Sequence, residues 1–310
     1  MKKINVILAS LTLFGLMTGC SGSCSGNTNT SATNETQTNV DTDTPAGITM
    51  TLKPKGEVTF AVGGNGVATI DWGDGSPVET MTLVPLEEGY DREPDHNGDV
   101  SHSYAQLAEY TIKITGENIM MLWCDELNIT NLELNVTALT SFICSQNQIK
   151  TLDVSKNTKL KRLVCSDNEL TALDVSKIPA LQDLVCNANQ LTKLDVSKNP
   201  ALETLWCGGN QLTKLDVSKN PELTYLECYD NQLTSLDLSK NTKLSEINCY
   251  GCQLSVNALN TLLQSLHSNS VYNYGEEDKT ISIGNNPGTK TCNRSIAQKK
   301  GWRIEEYIEE

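Results

Sequence analysis

Histidine is scarce in this sequence: His96, His102 and His267 are the three among 310 residues. None stands in H-E-x-x-H or another metal-binding pattern. No G-x-S-x-G elbow, phosphate loop or dinucleotide fingerprint is present. These absences speak against metal-dependent, serine-nucleophile and nucleotide-dependent catalysis, and no cofactor, metal or catalytic residue is expected. Positive charge is scarce as well, with 24 Lys and Arg against 38 Asp and Glu and a net charge of −14. A nucleic-acid phosphate backbone calls for a basic patch, so nucleic acid is an unfavourable partner. Electrostatic docking on anionic lipid is disfavoured for the same reason. After residue 17 no stretch approaches 18 apolar residues, so no membrane-spanning helix is expected. Aromatics are few (3 Phe, 4 Trp and 9 Tyr), which makes any cluster of them informative.

What is present begins with Lys2 and Lys3, followed by an apolar run from Ile4 to Met17. That run has the length of a signal peptide, not of a span. It ends in Met17-Thr18-Gly19-Cys20, which resembles a bacterial lipobox. The resemblance implies that residues 1–19 are removed and that Cys20 is lipidated. Met17 stands where that family prefers Leu. Residues 20–46 are largely Ser, Gly, Thr, Asn and Asp, too poor in apolar surface to offset the entropy of ordering. They read as a disordered polar tether.

Residues 47–117 show period-two runs: Ile48–Leu52, Val58–Val62, Ala68–Trp72 and Tyr110–Ile114. Gly-rich clusters at 63–66 and 73–75 separate some of them. Short strands at this spacing predict a β-sandwich. Asp71-Trp72-Gly73-Asp74-Gly75, with His102-Ser103-Tyr104 before the last strand, resembles the polycystic-kidney-disease (PKD) domain of bacterial surface proteins. Asp71, Asp74 and the acids of 91–99 are conceivable calcium ligands. The reading preferred here is an Asx turn at Asp74 and solvated loop acids.

The dominant feature is a repeat. Cys144, Cys165, Cys186, Cys207, Cys228 and Cys249 recur every 21 residues, with Cys124 preceding by 20. Asn147, Asn168, Asn189, Asn210 and Asn231 keep the same period, as do Leu columns and a Leu-Asp-Val-Ser-Lys segment. One such unit cannot bury its own leucines, so stacked coils must share a core. The unit, L-x-x-L-x-C-x-x-N-x-L-x-x-L-D-V-S-K-N-x-x, resembles the leucine-rich repeat. Its cysteine column resembles that of internalin-type bacterial repeats. The resemblance implies a parallel-stranded solenoid over 118–255. Leu and Cys are expected to point inward from each strand, and the Asn column to satisfy backbone groups at the turn after it. Asn also tolerates left-handed torsions there. Residues 256–310 depart from the repeat, with Cys252 in the Asn place, a predicted helix at 256–267 and strands near 281–283 and 302–304. They read as a small α/β cap.

The cysteine column reads as packed free thiols. In-register strands place these sulfurs in one line, which suits neither disulfide pairs nor a tetrahedral zinc site. Whether Cys252 and Cys292 pair is left open.

Function must then come from outward columns. Trp206, Tyr225, Glu227, Tyr229, Glu246, Asn248 and Tyr250 fall on neighbouring coils of one face and form the candidate ligand site. Gly208 and Gly209 leave space beside Trp206. The Asp column (Asp153, Asp174, Asp195, Asp216, Asp237) and the parallel Lys column read as a solvated outer face. The expected fold is thus mainly β: a PKD-like sandwich, a leucine-rich-repeat solenoid and a cap. The whole resembles a bacterial, Bacteroidetes-like lipoprotein of the outer membrane. That implies a non-enzymatic adhesion protein with a protein or peptide ligand, reaching the membrane only through its lipid. A glycan-binding module of a surface carbohydrate-uptake system and a ligand-free spacer are the alternatives.

Overall fold

A computed structural model describes residues 47–54, 56–85, 98–273, 276–277 and 279–305. Cys20, the signal-like run and the tether lie outside the described residues, as do Asp91 and Asp95. The described residues fall in one compact unit. Eight strands come first: β1 (Gly47–Leu52), β2 (Glu57–Gly64), β3 (Val67–Asp71), β4 (Glu79–Thr82), β5 (Asp99–Ser103), β6 (Tyr110–Thr115), β7 (Ile119–Trp123) and β8 (Ile129–Asn135). The coils then contribute one three-residue strand each: β9 (Ser141–Ile143), β10 (Arg162–Val164), β11 (Asp183–Val185), β12 (Thr204–Trp206), β13 (Tyr225–Glu227) and β14 (Glu246–Asn248). Helix α1 (Val256–Ser265), the short β15 (Tyr272–Asn273) and β16 (Glu276–Glu277), β17 (Thr280–Ser282), α2 (Ser295–Gln298) and β18 (Arg303–Glu305) complete the chain.

Two large sheets result. One runs β4-β3-β6-β1-β8, the other β18-β17-β14-β13-β12-β11-β10-β9-β7-β2-β5. Alternation explains the first: Ile48, Met50 and Leu52 of β1 and Ile112 and Ile114 of β6 are almost wholly buried. Phe60 of β2 reaches across to Trp72, ring centroids 5.5 Å apart. Tyr104 donates to the Trp72 carbonyl at 2.8 Å, and His102 stacks on the Trp72 ring at 4.7 Å. Asp74 makes the expected Asx turn, accepting the Ser76 N–H at 2.9 Å, and its other oxygen meets His102 at 2.8 Å.

The solenoid is a stack of leucine-rich coils joined through a parallel sheet. Leu163 and Cys165 are fully buried while Val164 is half-exposed, and the same alternation recurs in β11 and β12. Its start does not fall at a linker. Strand β7 pairs parallel with β9 and antiparallel with β2, while β8 pairs with β1. The first coil therefore supplies a strand to each large sheet, and a single core runs through both regions. Its end is also extended. Strands β17 and β18 continue the parallel sheet, Ile247↔Ile281↔Ile304, so the region read as a cap adds strands to the solenoid before ending it. Helix α1 starts at Ser255, whose hydroxyl accepts the Ala258 N–H, and buries Leu259, Leu262 and Leu263. At about 2 kcal/mol for each fully buried leucine, that face is a substantial part of what closes the stack.

Candidate functional site

The Asn column builds the turn that follows each strand. Asn168 Nδ2 donates to the carbonyls of Cys144, Cys165 and Ser166 at 2.9, 3.2 and 3.1 Å, and its Oδ1 accepts the Ile149 N–H at 3.0 Å. Asn189, Asn210 and Asn231 repeat the pattern coil by coil, and Asn147 makes the same three donations one coil earlier. Each amide thus ties two coils together and pairs backbone groups that the turn itself does not. The left-handed residue is not the Asn but the one before it: Gln146, Asp167, Ala188, Gly209 and Asp230 all have φ between 46° and 61°. The expectation that Asn itself takes the strained torsion is corrected accordingly. The column also outlasts the repeat. Cys252 follows Gly251 (φ 65°) and donates its thiol to the Cys228 carbonyl at 3.3 Å, while Asn286, after Asn285 (φ 53°), restores the amide, donating to the Cys249 carbonyl at 2.8 Å.

A second amide column, the Asn that follows Ser-Lys in the repeat unit, had no role assigned from the sequence. Asn157, Asn199, Asn220 and Asn241 are fully buried. Asn220 donates to the Val196 and Asn199 carbonyls at 2.9 Å each, and Asn241 to those of Val217 and Asn220. Ile178 interrupts the column.

The cysteines Cys124, Cys144, Cys165, Cys186, Cys207, Cys228 and Cys249 are fully buried free thiols. Burial raises the pKa of most of them, to about 12 for Cys165, and at Cys228 a hydrogen bond with the Cys252 side chain and then burial do so, so they are neutral packing groups. Cys252 and Cys292 are free, and Cys292 donates to the Thr289 carbonyl at 3.5 Å. Among the described residues no group of three or more His, Cys, Asp or Glu is placed to hold a metal ion.

On the outer face the Asp column is absorbed by local turns. Asp153, Asp174, Asp195, Asp216 and Asp237 each accept the N–H of the Ser two residues on at 2.9 Å. A shallow groove of about 470 Å³ lies where β8 diverges from the second coil, lined in part by Leu132, Glu133, Lys150 and Leu152.

The other face carries the candidate site. Register places Thr204, Tyr225 and Glu246 side by side in one row, and Trp206, Glu227 and Asn248 in a second. Tyr229 and Tyr250 follow β13 and β14 in the next row. All seven candidate residues, Trp206, Tyr225, Glu227, Tyr229, Glu246, Asn248 and Tyr250, are half-buried on the coils of β12 to β14. Trp123, in the same row as Trp206, stands four strand steps away, about 19 Å at sheet spacing. It is tied instead to Asp125 at 2.8 Å.

Gly208 does not leave a vacancy beside Trp206. A β-carbon there would collide with the Tyr229 ring, so the glycine is the seat on which that ring lies. Asn187, which the sequence reading did not single out, organises this corner. Its Oδ1 accepts the Gly208 N–H at 2.7 Å, and its side chain hydrogen-bonds to the Glu227 carboxylate. Asn248 accepts the Tyr250 N–H at 3.1 Å. Burial, reinforced by the nearby Glu246 charge, pushes the Glu227 carboxyl up to about 7. Burial likewise raises the Tyr229 hydroxyl. The cap extends the face: Thr280 and Arg303 continue the Tyr225–Glu246 row, and Ser282 and Glu305 the Glu227–Asn248 row. The arrangement offers aromatic surface, carboxylates and an amide, with no nucleophile–base pair among them.

No family model and no curated protein matches this chain. Among solved structures it is similar to an internalin, InlF, of Listeria monocytogenes, at 19% identity over 57% of this chain and 49% of that one, with a TM-score of 0.46. It is similar to the functional domain of InlJ of the same organism, which includes a cysteine ladder, at 27% identity over 53% and 48% of the two chains, TM-score 0.28. It is also similar to internalin C2 of that organism, at 18% identity over 61% and 80%, TM-score 0.47. The chain thus spans about half the length of the first two.

Proposed function

We propose that this chain is a non-enzymatic binding protein, held at a bacterial envelope by a lipid on Cys20, that presents the β12–β14 face to a protein or peptide ligand. The observation that carries the reading is the gathering of four aromatic side chains, two carboxylates and an amide on neighbouring coils of one face. Repeat stacks commonly bind through such extended faces, and Trp and Tyr are favoured at interface hot spots. The scaffold beneath supports it: Asn210 and Asn231 tie the coils of β12 and β13 to their neighbours, and the Leu and Cys of each strand pack in the core. In this reading the PKD-like region and the tether carry the solenoid outward from an outer membrane, in the manner of an adhesin.

The test has two arms. Cys20→Ala should move the protein from the membrane fraction to the soluble fraction. Protease added to intact cells should cleave the wild-type protein if it is displayed outward. A Cys20→Ala protein that stays with membranes would remove the anchor from the account. A glycan ligand is the second reading, favoured by the half-buried rings. Saccharide-array binding that disappears in Trp206→Ala/Tyr229→Ala would select it over a peptide.

A further inference from the structure

Resting on that reading of the face, we propose that its ligand is a cationic peptide segment, with a lysine or arginine side chain set among Glu227, Glu246 and the rings of Trp206, Tyr225 and Tyr229.

The charge pattern of the face carries the argument. Arg162 stands on β10 and Arg303 on β18. Between them, the outward positions of β11, β12, β13, β14 and β17 are Asp183 and Val185, Thr204 and Trp206, Tyr225 and Glu227, Glu246 and Asn248, and Thr280 and Ser282. No lysine or arginine is among them, and three are acids. The face is therefore acidic across its aromatic stretch and neutral or basic at its two ends.

Glu227 sits at the centre of this stretch. On one side in register is Trp206, on the other Asn248. Asn187 reaches it from beyond Gly208, and Tyr229 and Tyr250 stand on the rows beside it. The charged group acting most strongly on it is another carboxylate, Glu246. Burying a carboxylate beside a like charge is unfavourable unless a cation joins them. An arriving guanidinium or ammonium relieves both terms. The same cation gains from the aromatic faces around it, whose quadrupoles attract positive charge. An anionic ligand would meet repulsion from both glutamates. A neutral one would leave their mutual repulsion in place.

A protonic consequence follows. Glu227 is about half protonated near neutral pH because its carboxyl is held at about 7. A cation binds the ionised form better, so binding expels a proton, and affinity rises as pH is raised through 7.

The test uses the full chain and three labelled 12-residue peptides, read by fluorescence anisotropy. The peptides are identical except at three alternating positions, occupied by arginine, by citrulline (its neutral isostere) or by glutamate. The arginine peptide should bind at least tenfold more tightly than the citrulline peptide, and the glutamate peptide more weakly still. Glu227→Gln/Glu246→Gln should remove that tenfold preference. Between pH 6 and 8 the wild-type affinity for the arginine peptide should rise several-fold, and that of Glu227→Gln should stay flat. An arginine peptide that binds no better than the citrulline peptide, including not at all, overturns the cationic ligand. If both bind equally and Trp206→Ala/Tyr229→Ala abolishes both, the face is the site but its ligand is not cationic. If arginine-peptide binding survives both double variants, the face is not the site and the reading beneath the proposal falls too.

Discussion

Tyr229 lies directly over Gly208, one coil back, so closely that a β-carbon on Gly208 would collide with its ring. Gly208 has no left-handed torsion among the positive-φ glycines, so its backbone accepts alanine. What alanine would displace is the flexible tyrosine. Gly208→Ala should therefore weaken ligand binding about as much as Tyr229→Ala does, while global stability changes by no more than about 1 kcal/mol. A urea melt beside a binding isotherm checks this. Wild-type affinity in Gly208→Ala would separate the Tyr229 ring from the site.

The two amide columns should respond differently to substitution. Asn210 makes four bonds, donating to the Cys186, Cys207 and Gly208 carbonyls and accepting the Leu191 N–H. Asn220 only donates, and its buried Oδ1 has no partner. Ile178 already fills one place in that second column. Asn210→Ile should cost roughly 3 kcal/mol or more, because buried backbone groups are orphaned on both sides. Asn220→Ile should cost clearly less. Chemical denaturation of the two variants gives the ranking, and equal costs would refute the division of roles.

Cys252 occupies an amide position and fills it with a single thiol donor to the Cys228 carbonyl. Cys252→Asn should stabilise the chain by about 1 kcal/mol, the typical net worth of an added buried hydrogen bond. A lower melting temperature would mean that the sulfur's packing matters more than the bonds.

The ladder thiols can be sorted by the same logic. Cys249 donates to the Ser282 carbonyl at 3.3 Å, so Cys249→Ser keeps a partner for its hydroxyl. Cys186 is fully buried among apolar neighbours. Cys186→Ser should be the more destabilising of the two by about 1–3 kcal/mol. Thermal or urea melts of the pair decide it.

Stability should depend on pH through Glu227. Its folded-state value, about 7, lies above its ordinary 4.5. Between those values the folded chain holds a proton that the unfolded chain releases. Stability is thus full below about 4.5 and is lost as pH rises through 7. Asp125, raised by burial to about 6, acts in the same direction. The expected loss at Glu227 is on the order of 2 kcal/mol between pH 5 and 8, and Glu227→Gln should remove that share. Unfolding free energies measured at pH 5, 6.5 and 8 test the sign.

The coil itself was legible because it is local and repeated: Leu, Cys and Asn at fixed spacing state the inward and turn positions coil after coil. Register then followed, since equal coils stack in phase, and this is why the outward rows around Trp206 and Glu227 could be assembled from spacing alone. Long-range pairing was not legible. Nothing in Ile119–Asn135 announces that β7 will pair with β2 and β8 with β1, because those partners lie tens of residues earlier and the alternation of β8 suits either setting. Thr280-Ile281-Ser282 lost its coil signal when Leu and Cys became Ile, and its place beside β14 emerges only in three dimensions. The seat of Tyr229 on Gly208 and the reach of Asn187 to Glu227 join residues one and two coils apart, and column-by-column reading does not see across coils.

Binding is expected to reside on the β12–β14 face. The most direct measurement is selection of a displayed random-peptide library on the wild-type chain, with the recovered peptides then measured against Trp206→Ala/Tyr229→Ala. Peptides enriched on the wild type should bind the double variant at least tenfold more weakly, with its urea melt nearly unchanged. An enriched set that binds both proteins equally well would contradict the account.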